Sequence, residues 1–249
     1  SAAQMVFDLQ NPLQVRLTDR AHKMAQDGRL TVFKRWRAMR NIKGFAAPKT
    51  TASQFDRAPI IMAAVDLAPD MEALAAGIGI PLNFECAATD EMAAIILRLK
   101  PHAVCLVPEK REERTTEGGL DVAGDIDRLT AYIAPLRAAG CRVSMFIGHD
   151  ARQIEASARI GAAVVELHTG HYSDLHAEGR LDEANAELDA LRKAATYAHS
   201  LGLEVHAGHG LTYDNVAPVA AIPEIVELNI GHFLIGEAIY MGLEDAILE

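Results

Sequence analysis

The chain has 249 residues, of which 50% are hydrophobic and 23% are charged, and its formal net charge is −10 at neutral pH. The length suits one large α/β domain, and the acidic balance argues against nucleic acids and anionic membrane surfaces as partners. No apolar run approaches the roughly 18 residues of a membrane helix, and the first residues lack the basic-then-apolar order of a secretory signal, so a cytoplasmic location is predicted.

The first 79 residues show the least regular hydrophobic pattern. Three apolar runs are candidate strands, namely Leu13–Leu17, Leu30–Phe33 and Pro59–Leu67. Two further stretches are candidate helices, Thr18–Gln26 and Pro69–Ala76. The basic stretch at 34–40 is interpreted as a solvated helix face, with an anion site or a partner-binding patch as the alternative.

From about residue 80 onward, short apolar runs alternate with helical stretches. The predicted strands are Leu82–Ala87, Ala103–Val107, Arg142–Ile147, Ala163–His168, Leu203–Ala207 and Val226–Ile230. The predicted helices are Asp90–Leu99, Ile126–Ala139, Ala151–Ile160, Asp182–Leu201 and Asn215–Ala221. This order is typical of parallel βα units. The strands contain mostly continuous apolar runs, which predicts a sheet that is covered on both faces.

Six βα units are recognisable, and the preceding 80 residues have room for two more. Eight units form a closed barrel, so the sequence predicts a (β/α)8 TIM barrel with residues 1–249 as a single domain. A doubly wound open sheet is the alternative. It is disfavoured because no G-x-G-x-x-G motif follows an early strand and opens a helix.

Two carboxylates lie inside predicted strands. Glu85 is in the run LNFECA, and Glu166 is in VVELHTG. A carboxylate in an apolar strand is costly to ionise unless it is paired, and a raised pKa suits a general acid or base. A buried ion pair is the alternative for each of them. Because histidines also lie at strand ends, where barrels place their active sites, we favour catalysis.

Two glycine-flanked histidines follow later strands. His209 lies between Gly208 and Gly210, where the backbone can turn sharply and a ligand can approach closely, so it is predicted to be catalytic and not merely structural. Gly231 and His232 end the last predicted strand. That position suits a phosphate site made of backbone amides, and equally a tight strand-to-helix turn.

The polar segment 108–120 follows the second predicted strand and is expected to be a strand-end loop. The Thr115 hydroxyl and the nearby cations could hold a phosphorylated sugar, and a solvated charge run is the alternative. Three histidines lie close together in the sequence, namely His168, His171 and His176. They have no Cys or carboxylate partner at a spacing that is familiar for metal ligands, so no metal site is predicted. Three cysteines lie in apolar runs and are assigned to core packing: Cys86, Cys105 and Cys141.

Several of these segments together resemble one enzyme family. LVPEKR at 106–111 runs into TTEGGLDV at 115–122, and ELHTG at 166–170, AGHGLT at 207–212 and ELNIGH at 227–232 follow in the same order. They are similar to motifs of pyridoxine 5'-phosphate synthase, over about residues 79–247. The resemblance implies condensation of 1-deoxy-D-xylulose 5-phosphate with 3-amino-2-oxopropyl phosphate, with release of phosphate and water. It also implies no metal or organic cofactor and a homo-oligomer, of which an octamer is one form.

The resemblance implies a role for each matching residue. Glu85 would be an acid/base group, and His209 the general acid that assists loss of a leaving oxygen. Glu166 would be a carboxylate beside the closing ring that either stabilises charge or supports the groups in contact with substrate. The residues implied in substrate binding are Thr115 for the deoxyxylulose phosphate and Gly210, Gly231 and His232 for the aminoketone phosphate.

Residues 1–78 depart from the family pattern. The family's first strand carries Asn-x-Asp-His, its second leads into His-Leu-Arg-Glu-Asp-Arg-Arg-His, and this sequence has neither. RNIKG at 40–44 is similar to an element after the family's first strand, so Arg40 is a candidate phosphate ligand. Two alternatives stay open. One is a non-catalytic or impaired barrel that binds a phosphorylated ligand, and the other is a different sugar-phosphate barrel enzyme.

Overall fold

A computed structural model describes residues 71–72, 75–77, 81–108, 115 and 118–249. The first four predicted elements, the basic stretch at 34–40 and Arg40 lie outside the described residues. Residues 71–72 and 75–77 are helical, which agrees with the helix predicted at Pro69–Ala76.

The described chain alternates strands and helices. The strands are β1 Asn83–Cys86, β2 Ala103–Leu106, β3 Arg142–Ile147, β4 Val164–His168, β5 Glu204–Gly208 and β6 Ile225–Asn229. The helices are α1 Asp90–Leu99, α2 Ile126–Ala138, α3 Ala151–Ile160, α4 Gly170–Ala177, α5 Leu181–Ser200, α6 Val216–Ala220, α7 His232–Met241 and α8 Leu243–Leu248. All six strands predicted after residue 80 are confirmed to within two residues at each end.

Local sequence explains where the best-predicted helices begin. α1 and α3 have the bounds that the apolar periodicity predicts. The hydroxyl of Thr89 accepts a hydrogen bond from the amide of Met92, and the carboxylate of Asp150 accepts one from the amide of Arg152. These side chains satisfy amides that the first helical turn leaves without an intrahelical partner.

The six strands form one parallel sheet in the order β1-β2-β3-β4-β5-β6. Each strand pairs with the next one along the chain, and right-handed crossovers between such neighbours place the connecting helices on the same face of the sheet. A doubly wound sheet needs a point where the strand order reverses. The described strands contain no such reversal, so the open-sheet alternative does not fit them.

The two faces of the sheet differ in chemistry, since one is apolar and the other also carries polar side chains. Alternate strand residues join the helices in one hydrophobic core, among them Phe84, Leu106, Met145, Leu167 and Val205. The residues between them point to the other face and include Glu85, Ser144, Glu166, His206 and Asn229. The sequence shows no clear alternation of polar and apolar residues, because Cys105, Phe146 and Val164 on the second face are themselves apolar.

None of the helices in the described ranges is long and apolar enough to cross a membrane. The longest of them is α5, with 20 residues. Its sequence LDEANAELDALRKAATYAHS buries a stripe of Ala and Leu and exposes charged residues, as a helix packed on a sheet does.

Candidate active site

Glu85 and Glu166 lie on the polar face of the sheet, and the negative charge of Glu166 acts on the Glu85 carboxyl group. Glu85 is half-buried on β1, and Glu166 is 2% exposed on β4. The strands between them contribute Cys105 and Ser144, which pair with each other in the β2–β3 register. The sheet therefore brings together two carboxyl groups that are 81 residues apart in the chain (166 − 85).

Side chains from two other strands hold the Glu166 carboxylate. The Asn229 amide on β6 donates a hydrogen bond to Oε2, and the Cys105 thiol on β2 donates to the same oxygen over 3.4 Å. Asn229 is buried, and its Oδ1 has no hydrogen-bond partner within the described part of the chain. Cys105 is buried as predicted, and it also orients a candidate catalytic group.

Burial raises the pKa of both carboxyl groups. The pKa of Glu85 lies well above its ordinary value because of burial and, second, because of the negative charge of Glu166. Burial raises the pKa of Glu166 to about 7, although the hydrogen bond from Asn229 and the charge of His206 act in the opposite direction. Each of the two carboxyl groups therefore keeps its proton to a higher pH than an exposed carboxyl group does. Such groups suit proton transfer near neutral pH.

Replacing Glu166 by glutamine is expected to flatten the pH dependence of stability. A carboxyl group with a pKa of about 7 when folded and about 4.5 when unfolded takes up a proton on folding between these values. Its contribution to the free energy of unfolding therefore falls as the pH rises, by about 3 kcal/mol over that window. In the variant, residue 166 no longer carries the negative charge that raises the pKa of Glu85, so the pKa of Glu85 falls. This change also flattens the pH dependence of stability.

Urea unfolding of both proteins at several pH values between 5 and 8 measures this effect. We expect the wild-type free energy of unfolding to fall more steeply with pH than that of Glu166→Gln. Parallel curves would show that Glu166 is ionised throughout the range and would contradict the account of its burial.

His209 lies in an irregular turn directly after β5. Its backbone has a φ of 83°, a left-handed value that is rare for a residue with a side chain, and the following Gly210 has a φ of 78°. The His209 ring is exposed and stacks on the ring of His168 at a centroid distance of 4.8 Å. The Phe146 ring contacts the edge of His168 at 5.0 Å. This arrangement presents a solvent-accessible imidazole at the carboxyl edge of the sheet.

Thr115 lies in a turn that includes Gly118, and Gly118 is close to the His168 ring. The Thr115 amide donates to the carbonyl of Gly119 over 2.8 Å, and the Gly118 amide donates to the carbonyl of Thr115 over 3.1 Å. A Cβ on Gly118 would lie 3.4 Å from the His168 ring. The Thr115 hydroxyl is buried and has no hydrogen-bond partner among the residues the structure describes. Thr115 lies outside helices and strands, in agreement with the predicted loop.

The predicted phosphate-binding residues lie at the same edge of the sheet. Gly210 follows His209 directly, and Gly231 follows Asn229 by two residues and immediately precedes α7. His232 is the first residue of α7 and is exposed. The amides at the start of α7 have no acceptor within their own helix, which suits an anion.

A further group of polar side chains lies on the same face of the sheet, and two of its members, Arg142 and Glu204, are the first residues of β3 and β5. Glu204 accepts hydrogen bonds from the guanidinium of Arg142 over 2.9 Å and from Nε2 of His206 over 2.8 Å, and Nδ1 of His206 is 3.3 Å from Glu227. Burial lowers the pKa of His206, against the opposing effect of Glu204. The sequence analysis placed His206 in the strand predicted at Leu203–Ala207, but it did not identify the partners of His206, because they lie on other strands or earlier in the same strand.

The comparison with known proteins decides the family. A sequence model of the family described as pyridoxal phosphate biosynthesis protein PdxJ matches residues 67–249. This chain belongs to the PdxJ family. The resemblance inferred from the motifs is confirmed, and the match begins at residue 67 and not at 79.

Relatives of the PdxJ family agree with this assignment. The chain is 74% identical over 178 residues to the pyridoxine 5'-phosphate synthase of Cereibacter sphaeroides, an alignment that covers 72% of this chain and 71% of that protein. It is 67% identical over 180 residues to the synthase of Ruegeria pomeroyi, with 72% and 73% covered. The synthase of Zymomonas mobilis is 60% identical over 178 residues, with 72% and 68% covered.

In this PdxJ family member, the structure describes all but one of the site residues predicted from the sequence. Glu85 and Glu166 lie within β1 and β4, and the segments that follow β2, β5 and β6 contain the others: Thr115, His209, Gly210, Gly231 and His232. Arg40 lies outside the described residues. Within the described ranges, no three His, Cys, Asp or Glu side chains are grouped so that they could hold a metal ion.

Sequence reasoning missed two groups that hold the catalytic candidates in place. The ELNIGH motif contains Asn229, but nothing in the motif shows that it contacts a carboxylate 63 residues away. Thr169 is part of ELHTG, and its buried hydroxyl contacts the backbone of the His209 turn. The only available signal was the presence of both residues inside motifs that resemble the family.

Proposed function

We propose that this PdxJ family member forms pyridoxine 5'-phosphate by condensing 1-deoxy-D-xylulose 5-phosphate with 3-amino-2-oxopropyl phosphate. The high identity to proteins named pyridoxine 5'-phosphate synthase supports the activity. The observation that supports the site is the placement of Glu85 and Glu166 on one face of the sheet, both with a raised pKa, and of His209 in the turn directly after β5. Condensation, dehydration and ring closure each need proton transfers, which such groups supply.

Each side chain has a role that follows from its surroundings. Glu85 keeps a proton to higher pH than an ordinary carboxyl group, so it can donate that proton and then accept another. Glu166 is fixed by Asn229 and Cys105, and its negative charge stabilises positive charge that develops on the condensing nitrogen. His209 is exposed and donates a proton to the departing oxygen.

The phosphate groups of the substrates are bound at the carboxyl edge of the sheet. The amides of Gly210 and Gly231 and the start of α7 at His232 hold the aminoketone phosphate. Thr115 donates its hydroxyl to the deoxyxylulose phosphate, and this explains why a buried hydroxyl lacks a partner among the described residues. Arg40 is proposed as a further phosphate ligand on the basis of its motif alone.

The six described strands are proposed to be six of the eight strands of a (β/α)8 barrel, in one domain that comprises residues 1–249. The sequential strand order and the polar inner face support this proposal. The cytoplasmic location and the homo-oligomeric assembly stay predictions from the sequence.

A turnover assay with the purified full chain tests the proposed function. The two phosphorylated substrates are mixed with enzyme, and inorganic phosphate and fluorescent pyridoxine 5'-phosphate are followed together. We expect both to form in a ratio of one to one. Absence of product at micromolar enzyme would contradict the proposal, and substrate binding without product would favour the non-catalytic alternative.

A further inference from the structure

Thr169 is the residue between β4 and α4. It is neither a proposed substrate ligand nor a proposed proton donor. Its side chain is completely buried. A threonine at the start of a helix ordinarily accepts a hydrogen bond from an amide of the first turn. The Thr169 hydroxyl makes no such bond.

The Thr169 hydroxyl instead contacts the turn after β5. Oγ1 lies 2.7 Å from the carbonyl oxygen of Gly208 and 2.7 Å from that of His209, so its single proton is shared between these acceptors. The Thr169 amide also donates to the Gly208 carbonyl over 2.8 Å. The hydroxyl therefore binds the two peptide groups that flank the His209 Cα on its amino and carboxyl sides.

The backbone that Thr169 binds is in a conformation that needs support. A left-handed φ at a residue with a side chain costs on the order of 1 kcal/mol or more, and His209 has a φ of 83°. Such conformations persist where surrounding contacts fix them. Among the described residues, Thr169 supplies the side-chain hydrogen bonds to this turn.

The residues on either side of Thr169 contact the imidazole itself. The His168 ring stacks on the His209 ring. A Cβ on Gly170 would lie 2.5 Å from Cε1 of His168 and 2.9 Å from Cδ2 of His209, which is closer than side-chain atoms approach. The segment 168–170 thus contacts both the ring and the backbone of His209.

We propose that Thr169 is a positioning residue, whose hydroxyl holds the His209 turn so that the imidazole faces the reacting atoms. The inference rests on the proposed function in that His209 is the general acid. It assigns to Thr169 an effect on the chemical step. Because the Gly210 amide belongs to the same turn, binding of the aminoketone phosphate is expected to weaken together with the chemical step, and binding of the deoxyxylulose phosphate is expected to stay unchanged. It also requires that the effect pass through His209.

Kinetics of Thr169→Val and Thr169→Ser provide the first test. Valine keeps the shape and removes the hydroxyl, whereas serine keeps the hydroxyl. We expect Thr169→Val to lower kcat roughly 10- to 100-fold, with the KM for 1-deoxy-D-xylulose 5-phosphate changed by less than about 3-fold. Thr169→Ser is expected to stay within about 3-fold of the wild type in both constants. If valine loses the fold, Thr169→Ala replaces it in the same comparison.

Thr130→Val is the matched control. The Thr130 hydroxyl also donates to a backbone carbonyl, that of Ile126 over 2.6 Å, but it lies on the exposed face of α2. We expect Thr130→Val to retain wild-type kcat and KM. A rise in KM at unchanged kcat in Thr169→Val, or equal kinetics in the two valine variants, would overturn the proposal.

The double variant Thr169→Val/His209→Asn tests whether the effect passes through His209. If Thr169 acts only by positioning that imidazole, the double variant is expected to turn over as slowly as His209→Asn alone. A further 10-fold fall in the double variant would overturn the proposal, since Thr169 would then act independently.

Crystal structures of the valine and serine variants give a readout that does not depend on activity. We expect the backbone of residues 208–210 or the His209 ring to move in Thr169→Val and to keep its place in Thr169→Ser. An unchanged turn in Thr169→Val would overturn the proposal. If the wild-type chain shows no turnover, the proposed function fails, and these structures alone still decide whether Thr169 holds the turn.

Discussion

His209→Asn is expected to lower kcat about 10²- to 10⁴-fold, the usual effect of removing a general acid. Asparagine is chosen because it tolerates left-handed backbone angles better than other non-glycine residues, so the turn at φ 83° is retained. KM is expected to change little, because the groups proposed to bind phosphate are the neighbouring amides and Thr115. Steady-state kinetics with both substrates measure the two constants.

The control for His209→Asn is His199→Asn. His199 lies on the exposed side of α5 near its end and takes no part in the proposed site. We expect that variant to keep wild-type kcat and KM. If His209→Asn kept more than about a tenth of the wild-type kcat, His209 would not be the general acid.

Glu85→Gln is expected to produce the second large loss, again about 10²- to 10⁴-fold in kcat. Glutamine keeps the size and the hydrogen-bonding oxygen of the side chain but cannot exchange a proton at neutral pH. Burial and, second, the negative charge of Glu166 raise the pKa of Glu85, so Glu85 keeps a proton that it can donate. Glu85 is the carboxyl group of β1 on which that charge acts. Stability is expected to rise or stay unchanged, because a buried carboxyl group is removed.

Glu91→Gln is the control for this second variant. Glu91 is exposed in the first turn of α1, so its replacement makes the same substitution in the same βα unit without touching the site. Its kcat is expected to match the wild type. Full activity in Glu85→Gln would mean that proton transfer is carried by other groups, and the proposed role of Glu85 would be wrong.

Strands and most helices could be predicted because their patterns are local. α1 and α3 combine an apolar stripe with an amino-terminal capping side chain, and both bounds were predicted correctly. Three helices were missed. α4 has the sequence GHYSDLHA, which begins with glycine and lacks an apolar period, and α7 is apolar on nearly every side. α8, with six residues, is too short for a period to be visible.

The polar face of the sheet was not predictable from local pattern. Each strand contributes only one or two of its polar side chains, so each strand sequence taken alone is mostly apolar. Only the parallel register brings Glu166, His206 and Glu227 into one row across three strands. The function of a strand residue therefore depended on pairing, which a single sequence does not contain.

The candidate catalytic residues were found because their residue types are unusual at their positions. A carboxylate within an apolar strand, as at Glu166, and a histidine between two glycines, as at His209, both invite a functional explanation. The residues that hold them gave no such signal. Asn229, Cys105 and Thr169 are ordinary in a strand or at a helix start, and their importance lies in contacts across 40 or more residues of sequence.

The crystal structure of the full chain with pyridoxine 5'-phosphate is the most direct test of the site. We expect the pyridine ring to lie at the carboxyl edge of the sheet, within hydrogen-bond reach of Glu85 or Glu166, with His209 directed at it. The phosphate is expected on the amides of Gly210 and Gly231. A product molecule bound elsewhere, with these side chains more than about 6 Å from the ring and therefore beyond hydrogen-bond reach, would contradict the account.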